Sequence, residues 1–310
     1  MSMLFMMPKL AKLLHIEVTD EGTTFFTKLS VDIMNQKREE FATQKDGFSK
    51  ATSFIEFMII AEQEGKKMEA AEEENDQKKP TKYMTPDEVV SQCVIFFLAG
   101  FETTATLLSV TAFHLAQNPA IQERLYEETV AVIEKLKAES PDEPDIYKLI
   151  TYEAIQTRFE YLNAVISETL RIDSPGIFLE RTASKDIELT NGDGSVSVSL
   201  KEGDIVHVPV WTMHRDEKYF PEPERFKPER FLSSSLSEPT FNKNAYNPFG
   251  TGPRACVARL MALMEARMAM LHLVRCYRFE LCPQTQIPLD FTVQFDLITP
   301  KEVNLKIVKR

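Results

Sequence analysis

Phe249-Gly250-Thr251-Gly252-Pro253-Arg254-Ala255-Cys256-Val257-Ala258 is the stretch around which the chain is organised. Its glycines and proline make a turn-rich loop. The loop delivers one cysteine to the start of an apolar helical pattern, Leu260, Leu263, Met264, Met268, Leu271 and Leu273. Such a cysteine has two readings. One is a buried free thiol ahead of a core helix, behaving as a small hydrophobe. The other is a metal ligand, its thiolate favoured by the positive end of a helix beginning near Val257.

Size and charge narrow the choice. At 310 residues and 43% hydrophobic, the chain can bury a substantial core as one large domain or two smaller ones. The 36 basic and 47 acidic side chains leave a net charge of −11. No lysine-arginine stripe offsets it, which speaks against nucleic acid as a partner. Cys93, Cys256, Cys276 and Cys282 are scattered without a CxxC. That pattern points to a reducing compartment rather than a disulfide scaffold or a structural zinc site. No continuous run reaches the roughly 20 apolar residues of a membrane span. The longest run, 94–100, is short, and Pro8 and Lys9 interrupt the apolar start before a secretory signal develops.

Along the chain, a short amphipathic piece at 10–14 precedes a helix marked by Phe25, Phe26, Leu29, Ile33 and Met34. A short helix is expected around 54–61, and the charged tract 62–82 reads as a solvated loop. Thr85-Pro86-Asp87-Glu88 then combines an N-cap residue, a proline at the first helical position and a glutamate at the third. The helix it starts runs through Val89, Val90, Cys93, Val94, Phe96, Phe97 and Leu98 to about Ala116. It is apolar on nearly all sides and is expected to cross the core buried. Its middle, Ala99-Gly100-Phe101-Glu102-Thr103-Thr104, is locally unfavourable. Glycine costs about 1 kcal/mol there against alanine. Threonine hydroxyls compete for the backbone, and a carboxylate sits among apolar residues. Either something approaches the helix at this point, or the helix is irregular and Glu102 reaches a surface.

Asn118-Pro119 ends that helix and caps a peripheral one. A further helix over 161–171 places Glu168 and Arg171 on one face. The default for such a pair is a surface salt bridge; a buried version needs further partners for the guanidinium. Ile187, Leu189, Val196, Val198 and Leu200 alternate with polar residues around Asn191-Gly192-Asp193-Gly194, which predicts a hairpin. Residues 205–209 read as another strand. The proline- and aromatic-rich segment 220–231 is expected to be non-regular and held by side-chain bonds. After the Cys256 helix, strand-like pieces at 279–281, 291–295 and 303–308 predict a terminal hairpin.

Four motifs follow one another in a specific order. They are Ala99-Gly100-Phe101-Glu102-Thr103-Thr104, Glu168-Thr169-Leu170-Arg171, Pro228-Glu229-Arg230-Phe231, and Phe249-x-x-Gly252-x-Arg254-x-Cys256-x-Ala258. Together they resemble the cytochrome P450 family of haem-thiolate monooxygenases, with Ala258 where glycine is commoner. The resemblance implies a mainly α fold with small β-sheets (α+β), the cytochrome P450 fold, incomplete. The whole of 1–310 is then a partial domain. Within it, 1–84 holds roof helices and a polar loop, and 85–174 the central oxygen-activation helix and those that follow. Residues 175–248 form a small sheet and meander, and 249–310 the haem-ligand loop, proximal helix and C-terminal hairpin. The family's membrane anchor, first strands and an early propionate-binding helix are expected to be missing. The 1–40 region and loop lengths look most like the microsomal arthropod type that metabolises xenobiotics.

The same resemblance implies haem (iron protoporphyrin IX) as cofactor, with Cys256 its thiolate axial ligand and the metal-binding residue. Phe249 would pack beside the sulfur, Gly252 would let the loop pass under the porphyrin, and Arg254 would pair with a propionate. Arg181 sits where members place another arginine. Thr103 and Glu102 are the implied catalytic residues, the threonine relaying protons that Glu102 supplies through water. Glu168, Arg171 and Arg230 are implied to form a buried structural network, with His214 a structural histidine that could also approach the propionate side. Asp173 and Ser174 depart from a commoner apolar-aromatic-Pro-Pro pattern ahead of Ile177, Phe178 and Leu179, which are implied pocket residues. The implied oxidoreductase activity inserts one oxygen atom of O2 into small lipophilic organic substrates. Electrons come from NADPH-cytochrome P450 reductase, with cytochrome b5 as a further partner. The absence of a Gly-x-Gly-x-x-Gly fingerprint agrees with an external donor. The full-length form is expected on the cytosolic face of the endoplasmic reticulum membrane. The alternative is a truncated, non-catalytic fragment that cannot stably hold haem.

Overall fold

Thr85 and Glu88 cap each other: the Thr85 N–H donates to Glu88 Oε2 at 2.7 Å and the Glu88 N–H to Thr85 Oγ1 at 3.3 Å. This closes the expected capping box and starts the longest helix, α3, Pro86–Gln117, of 32 residues. It is preceded by α1, Glu21–Thr43, and α2, Phe54–Glu73. The computed structural model describes residues 21–43, 51–73, 84–232, 241–294 and 297–310. The expected piece at 10–14 lies outside them. The chain divides into two compact units, Met1–Phe101 and Glu102–Arg310.

In the first unit Met34, Val89 and Cys93 are buried together, with Ile55, Met58, Met84 and Val90 against them. Phe26 stacks on Phe97 at 5.5 Å, and Phe54 meets Phe96 at 4.0 Å. The expected short helix at 54–61 continues to Glu73, so the first part of the charged tract is helical rather than a loop. The cause is electrostatic. Glu62 is buried between Arg38 of α1 and Lys66 one turn along, and that pairing supports a helix without an apolar period.

The middle of α3 is not buried as expected. Ile95, Leu98 and Phe101 are exposed, Phe101 to 79%. The helix buries Val89, Cys93 and Val94 near its start and Leu107, Val110, Phe113, Leu115 and Ala116 near its end. Phe96 and Phe97 in the same stretch are covered only in part, by Phe54 and Phe26. By length and composition alone α3 could cross a membrane, although no uninterrupted apolar run does so. Glu102 and the threonines break the run without lowering the average much.

The second unit packs the end of α3 against α4, Pro119–Glu139, α6, Tyr152–Thr157, α7, Glu160–Ile172, and α9, Arg259–Cys276. The short α5, Ile146–Leu149, lies between α4 and α6, and the short α8, Val210–His214, lies between α7 and α9 in the chain. Leu115, Leu125, Ile155, Phe159, Leu162, Ile166, Ala266 and Leu271 form the centre of one core. Gln122 stitches α4 to the following sheet as a strand would. Its Nε2 donates to the Phe279 carbonyl at 2.9 Å and its Oε1 accepts the Phe279 N–H at 2.7 Å. The Glu128 carboxylate accepts the Tyr161 and Leu162 N–H groups at the start of α7.

Among the described residues, four two-stranded antiparallel sheets complete the unit. β1, Leu179–Thr182, pairs with β4, Ile205–Val208. β2, Ile187–Thr190, pairs with β3, Ser197–Leu200, across the expected turn. β5, Tyr277–Leu281, pairs with β8, Leu305–Lys309, and encloses the hairpin of β6, Phe291–Gln294, and β7, Leu297–Pro300. The last strand therefore returns to β5 rather than forming the expected terminal hairpin with its predecessor. The architecture is mainly helical with small antiparallel sheets, an α+β arrangement.

Candidate functional site

Gly250 and Gly252 have φ of 70° and 72°, the left-handed region that glycine enters without a Cβ clash. Gly252–Arg254 makes a single tight turn, and the Cys256 N–H closes the loop on the Phe249 carbonyl at 2.8 Å. The loop lies against β1: a Cβ at Gly250 would stand 3.5 Å from Leu179 Cδ2. Cys256 emerges three residues ahead of α9, and it is exposed. The buried-thiol reading is therefore not what the fold provides. Val257, Leu260 and Met261 beside it are exposed as well, Val257 to 82%. Phe249 packs against the main core with the Arg259 guanidinium 6.0 Å from its ring centre. Arg254 is exposed; so is Arg181, which donates to the carbonyl of Glu180 at 2.6 Å.

A buried polar network stands behind this loop. Glu168 and Arg171 are both 0% exposed. Arg171 Nε and Nη2 grip the Glu168 carboxylate at 2.8 and 2.9 Å. Nη1 donates to the His214 carbonyl at 2.8 Å, and Nη2 to the Pro223 carbonyl at 2.7 Å and the Arg225 carbonyl at 3.3 Å. Glu168 also accepts the Lys227 N–H at 2.8 Å and Arg230 Nε at 3.4 Å, while Arg230 Nη2 reaches the Glu222 carbonyl. The pair is thus not a surface salt bridge, and the guanidinium donors have the extra acceptors that burial demands.

His214 carries the network to the loop. Its Nδ1 donates to the Arg171 carbonyl at 3.1 Å and its Nε2 accepts the Asn247 N–H at 3.0 Å. Asn247 in turn receives the Gly250 N–H at 3.1 Å. One ring nitrogen donates and the other accepts, so the ring is neutral. Burial holds its pKa down to about 4, and the nearby Arg171 and Arg215 guanidiniums push the same way. The unfolded chain therefore binds this proton more readily than the folded one. The resulting stabilisation is full above the ordinary histidine pKa of about 6.5 and is lost as pH falls from there to about 4. The loss amounts to roughly 3 kcal/mol. Urea midpoints at stepped pH should show this decline in the unaltered protein, and His214→Gln should flatten it. Equal slopes in the two proteins would remove His214 as the cause.

Glu102 and Thr103 occupy α3, which runs through 99–104 as continuous helix. Among the described residues a Cβ at Gly100 would meet nothing within 4 Å. Glu102 is exposed and its Oε1 accepts the Thr299 hydroxyl at 2.9 Å. Thr103 is half-buried.

Sequence reasoning missed two clusters. Asp173 accepts from both His114 Nε2, at 2.7 Å, and Arg215 Nη2, at 2.9 Å. His114 stacks on Phe226 at 4.6 Å, and the Arg215 guanidinium lies 3.5 Å above the Trp211 ring. Asp173 thus departs from an apolar pattern where an imidazole and a guanidinium both reach its carboxylate. A histidine in the last turn of an otherwise apolar helix was the available signal. The Thr299 contact had none.

The donor chemistry can be tested against a haem group. Among the described residues no cluster of three or more His, Cys, Asp or Glu could hold a metal ion. A single exposed thiol among exposed apolar side chains fits an axial ligand to a flat, largely apolar macrocycle, which brings its other four ligands itself. The cytochrome P450 family profile matches residues 1–307. Cytochrome P450 9c1 of Drosophila melanogaster is 36% identical over 92% of this chain and 51% of its own length. Cytochrome P450 3A29 of Sus scrofa is 36% identical over 93% of this chain and 51% of its own. Cytochrome P450 3A5 of Homo sapiens is 34% identical over 96% and 52%. The chain spans about half the length of the curated relatives it matches. A glycine-locked loop presenting one thiol, the buried glutamate–arginine network behind it and this match along nearly the whole sequence place the chain in the cytochrome P450 family.

Proposed function

We propose that this chain carries the haem-thiolate site of a microsomal monooxygenase of the arthropod xenobiotic-metabolising type, acting on small lipophilic molecules. The observation that carries the reading is the exposed Cys256 on a loop closed by the Phe249 carbonyl and two left-handed glycines. Cys256 would be the iron ligand. The loop delivers its sulfur three residues ahead of α9. Phe249 would shield the sulfur from water, tuning its donor strength, and Gly252 would allow close approach of the ring. Arg254 and Arg181 are the cations available for the propionates. When bound, haem supplies the activation of O2 and the transfer of one oxygen atom, and thiolate donation favours O–O cleavage.

The chain's own residues manage protons and order. Glu102, reprotonated from bulk solvent, would give its proton through water to Thr103, whose hydroxyl would accept it and pass its own proton on. Glu168, Arg171, Arg230 and His214 would hold the base of the loop and take no part in the chemistry. Electrons would come from NADPH-cytochrome P450 reductase, with cytochrome b5 as second donor, at the cytosolic face of the endoplasmic reticulum. The carbon monoxide difference spectrum of the reduced, haem-loaded protein tests this. The red-shifted Soret band of a thiolate complex is expected; folded, haem-loaded protein without it refutes the ligand assignment.

A second reading is favoured by the exposed Val257, Leu260 and Met261. Apolar side chains grouped in this way need a covering partner. The 310 residues alone would then neither hold haem stoichiometrically nor turn over. Haem titration of the isolated chain separates the two.

A further inference from the structure

We propose that Thr299 is a positioning residue for Glu102, so that a strand near the C-terminus orients the carboxylate of the proton relay. The proposal rests on the reading of Glu102 given above. Thr299 Oγ1 donates to Glu102 Oε1 at 2.9 Å across 197 positions of sequence. Glu102 is exposed, and among the described residues it forms no ion pair. An exposed glutamate has several rotamers of similar energy, and holding one costs side-chain entropy unless a fixed donor selects it. A hydrogen bond to a charged acceptor is strong enough to do so.

Thr299 is such a donor because its own place is fixed several times over. Its β-branched side chain is stiff at χ1. In the β6–β7 register it faces Thr292, whose hydroxyl donates to the Thr299 carbonyl at 3.1 Å. The neighbouring Ile298 is buried, and its N–H donates to the Pro175 carbonyl at 2.9 Å. Leu297 bridges Gly176. On the other strand Phe291 packs edge-on against Trp211 at 6.0 Å, and the Trp211 N–H donates to the Ile177 carbonyl at 3.0 Å. The hairpin is therefore docked on the segment that follows α7. It engages one oxygen of Glu102 and leaves Oε2 for water. The hydroxyl neither touches a reacting atom nor carries a proton in this scheme; it sets the direction of the carboxylate.

The experiment uses the haem-loaded protein with its reductase and four variants: Thr299→Val, Thr299→Ser, Glu102→Gln, and Thr299→Val combined with Glu102→Gln. Thr299→Val is expected to keep haem content, melting temperature and KM. It should lower kcat about threefold to tenfold, with more NADPH consumed per product. Thr299→Ser should restore kcat to within about twofold, since the donor is retained. Added to Glu102→Gln, the valine change should do nothing further. Independently of turnover, the infrared carboxylate band that disappears in Glu102→Gln should shift in Thr299→Val and stay in place in Thr299→Ser. Wild-type kcat, coupling and carboxylate band in Thr299→Val overturn the proposal. A loss that adds to that of Glu102→Gln overturns it too, because Thr299 would then act by another route. Full turnover in Glu102→Gln overturns the relay reading instead. It is distinguished by a carboxylate band that still shifts in Thr299→Val.

Discussion

Arg171→Leu is expected to destabilise the unit Glu102–Arg310 by about 3–5 kcal/mol, the cost of removing one partner from a buried ion pair. The leucine replaces much of the apolar stem. It leaves Glu168 with a carboxylate at 0% exposure and the carbonyls of His214, Pro223 and Arg225 without their guanidinium donor. Lys227 N–H and Arg230 Nε still serve Glu168, so the charge is not wholly abandoned. The carbonyls have no such substitute. Against a total stability on the order of 5–15 kcal/mol, the loss consumes a large fraction and lowers the population of folded protein correspondingly. Arg171→Lys should fall in between: it keeps the charge, but a compact ammonium cannot grip both carboxylate oxygens and three carbonyls together. Urea unfolding of the three proteins at neutral pH is the measurement. A loss below about 1 kcal/mol in the leucine variant would mean the pair behaves as an exposed one. The leucine variant should also bind haem less tightly, because the His214 carbonyl it releases belongs to the residue that holds Asn247 at the base of the cysteine loop.

What could be read from the residues alone follows from the range of the forces involved. The start of α3 was legible because a capping box is local: Thr85 and Glu88 satisfy each other within one turn. The β2–β3 hairpin was legible because its turn residues lie next to each other. The Glu168–Arg171 spacing showed that the two side chains share a helix face. It could not show that three carbonyls from 214–225 converge on the same guanidinium, since that depends on the path of an irregular segment. β1 reads Leu-Glu-Arg-Thr and owes its extended form to β4 rather than to its own pattern. β7 contains a proline and is fixed by Pro175 and Gly176 far away in sequence. The helical extension of α2 through charged residues came from a buried Glu62, and no apolar period announces an ion pair. Thr299 is the limiting case, because nothing local marks it and it meets Glu102 only when the hairpin docks.

Cys256→Ser is expected to abolish the thiolate-type carbonyl spectrum and to reduce turnover by on the order of a thousandfold, while leaving the fold intact. Both halves of the expectation come from the same loop. The backbone bond from the Cys256 N–H to the Phe249 carbonyl does not involve the side chain, and the left-handed glycines are untouched. The sulfur is exposed, so its replacement by oxygen forfeits little packing, about 0.5 kcal/mol or less. An alcohol oxygen, however, keeps its proton at neutral pH and cannot donate to iron as a thiolate does. The remaining cysteines make the test discriminating. Cys93 is buried in the first unit, and burial pushes its thiol pKa up, which disfavours the ligating form. Cys282 is the serious rival by acidity alone, since the Thr285 hydroxyl donates to its sulfur and draws its pKa down. Its setting argues against it: the sulfur is held in the turn after β5 by Thr285 and the Asn304 carbonyl, with no glycine loop and no helix start beside it. Cys282→Ser and Cys276→Ser should therefore keep the red-shifted Soret band that Cys256→Ser loses. If Cys256→Ser retained that band and Cys282→Ser lost it, the iron ligand would lie at the other end of α9 and β5, and the exposed loop thiol would need another explanation.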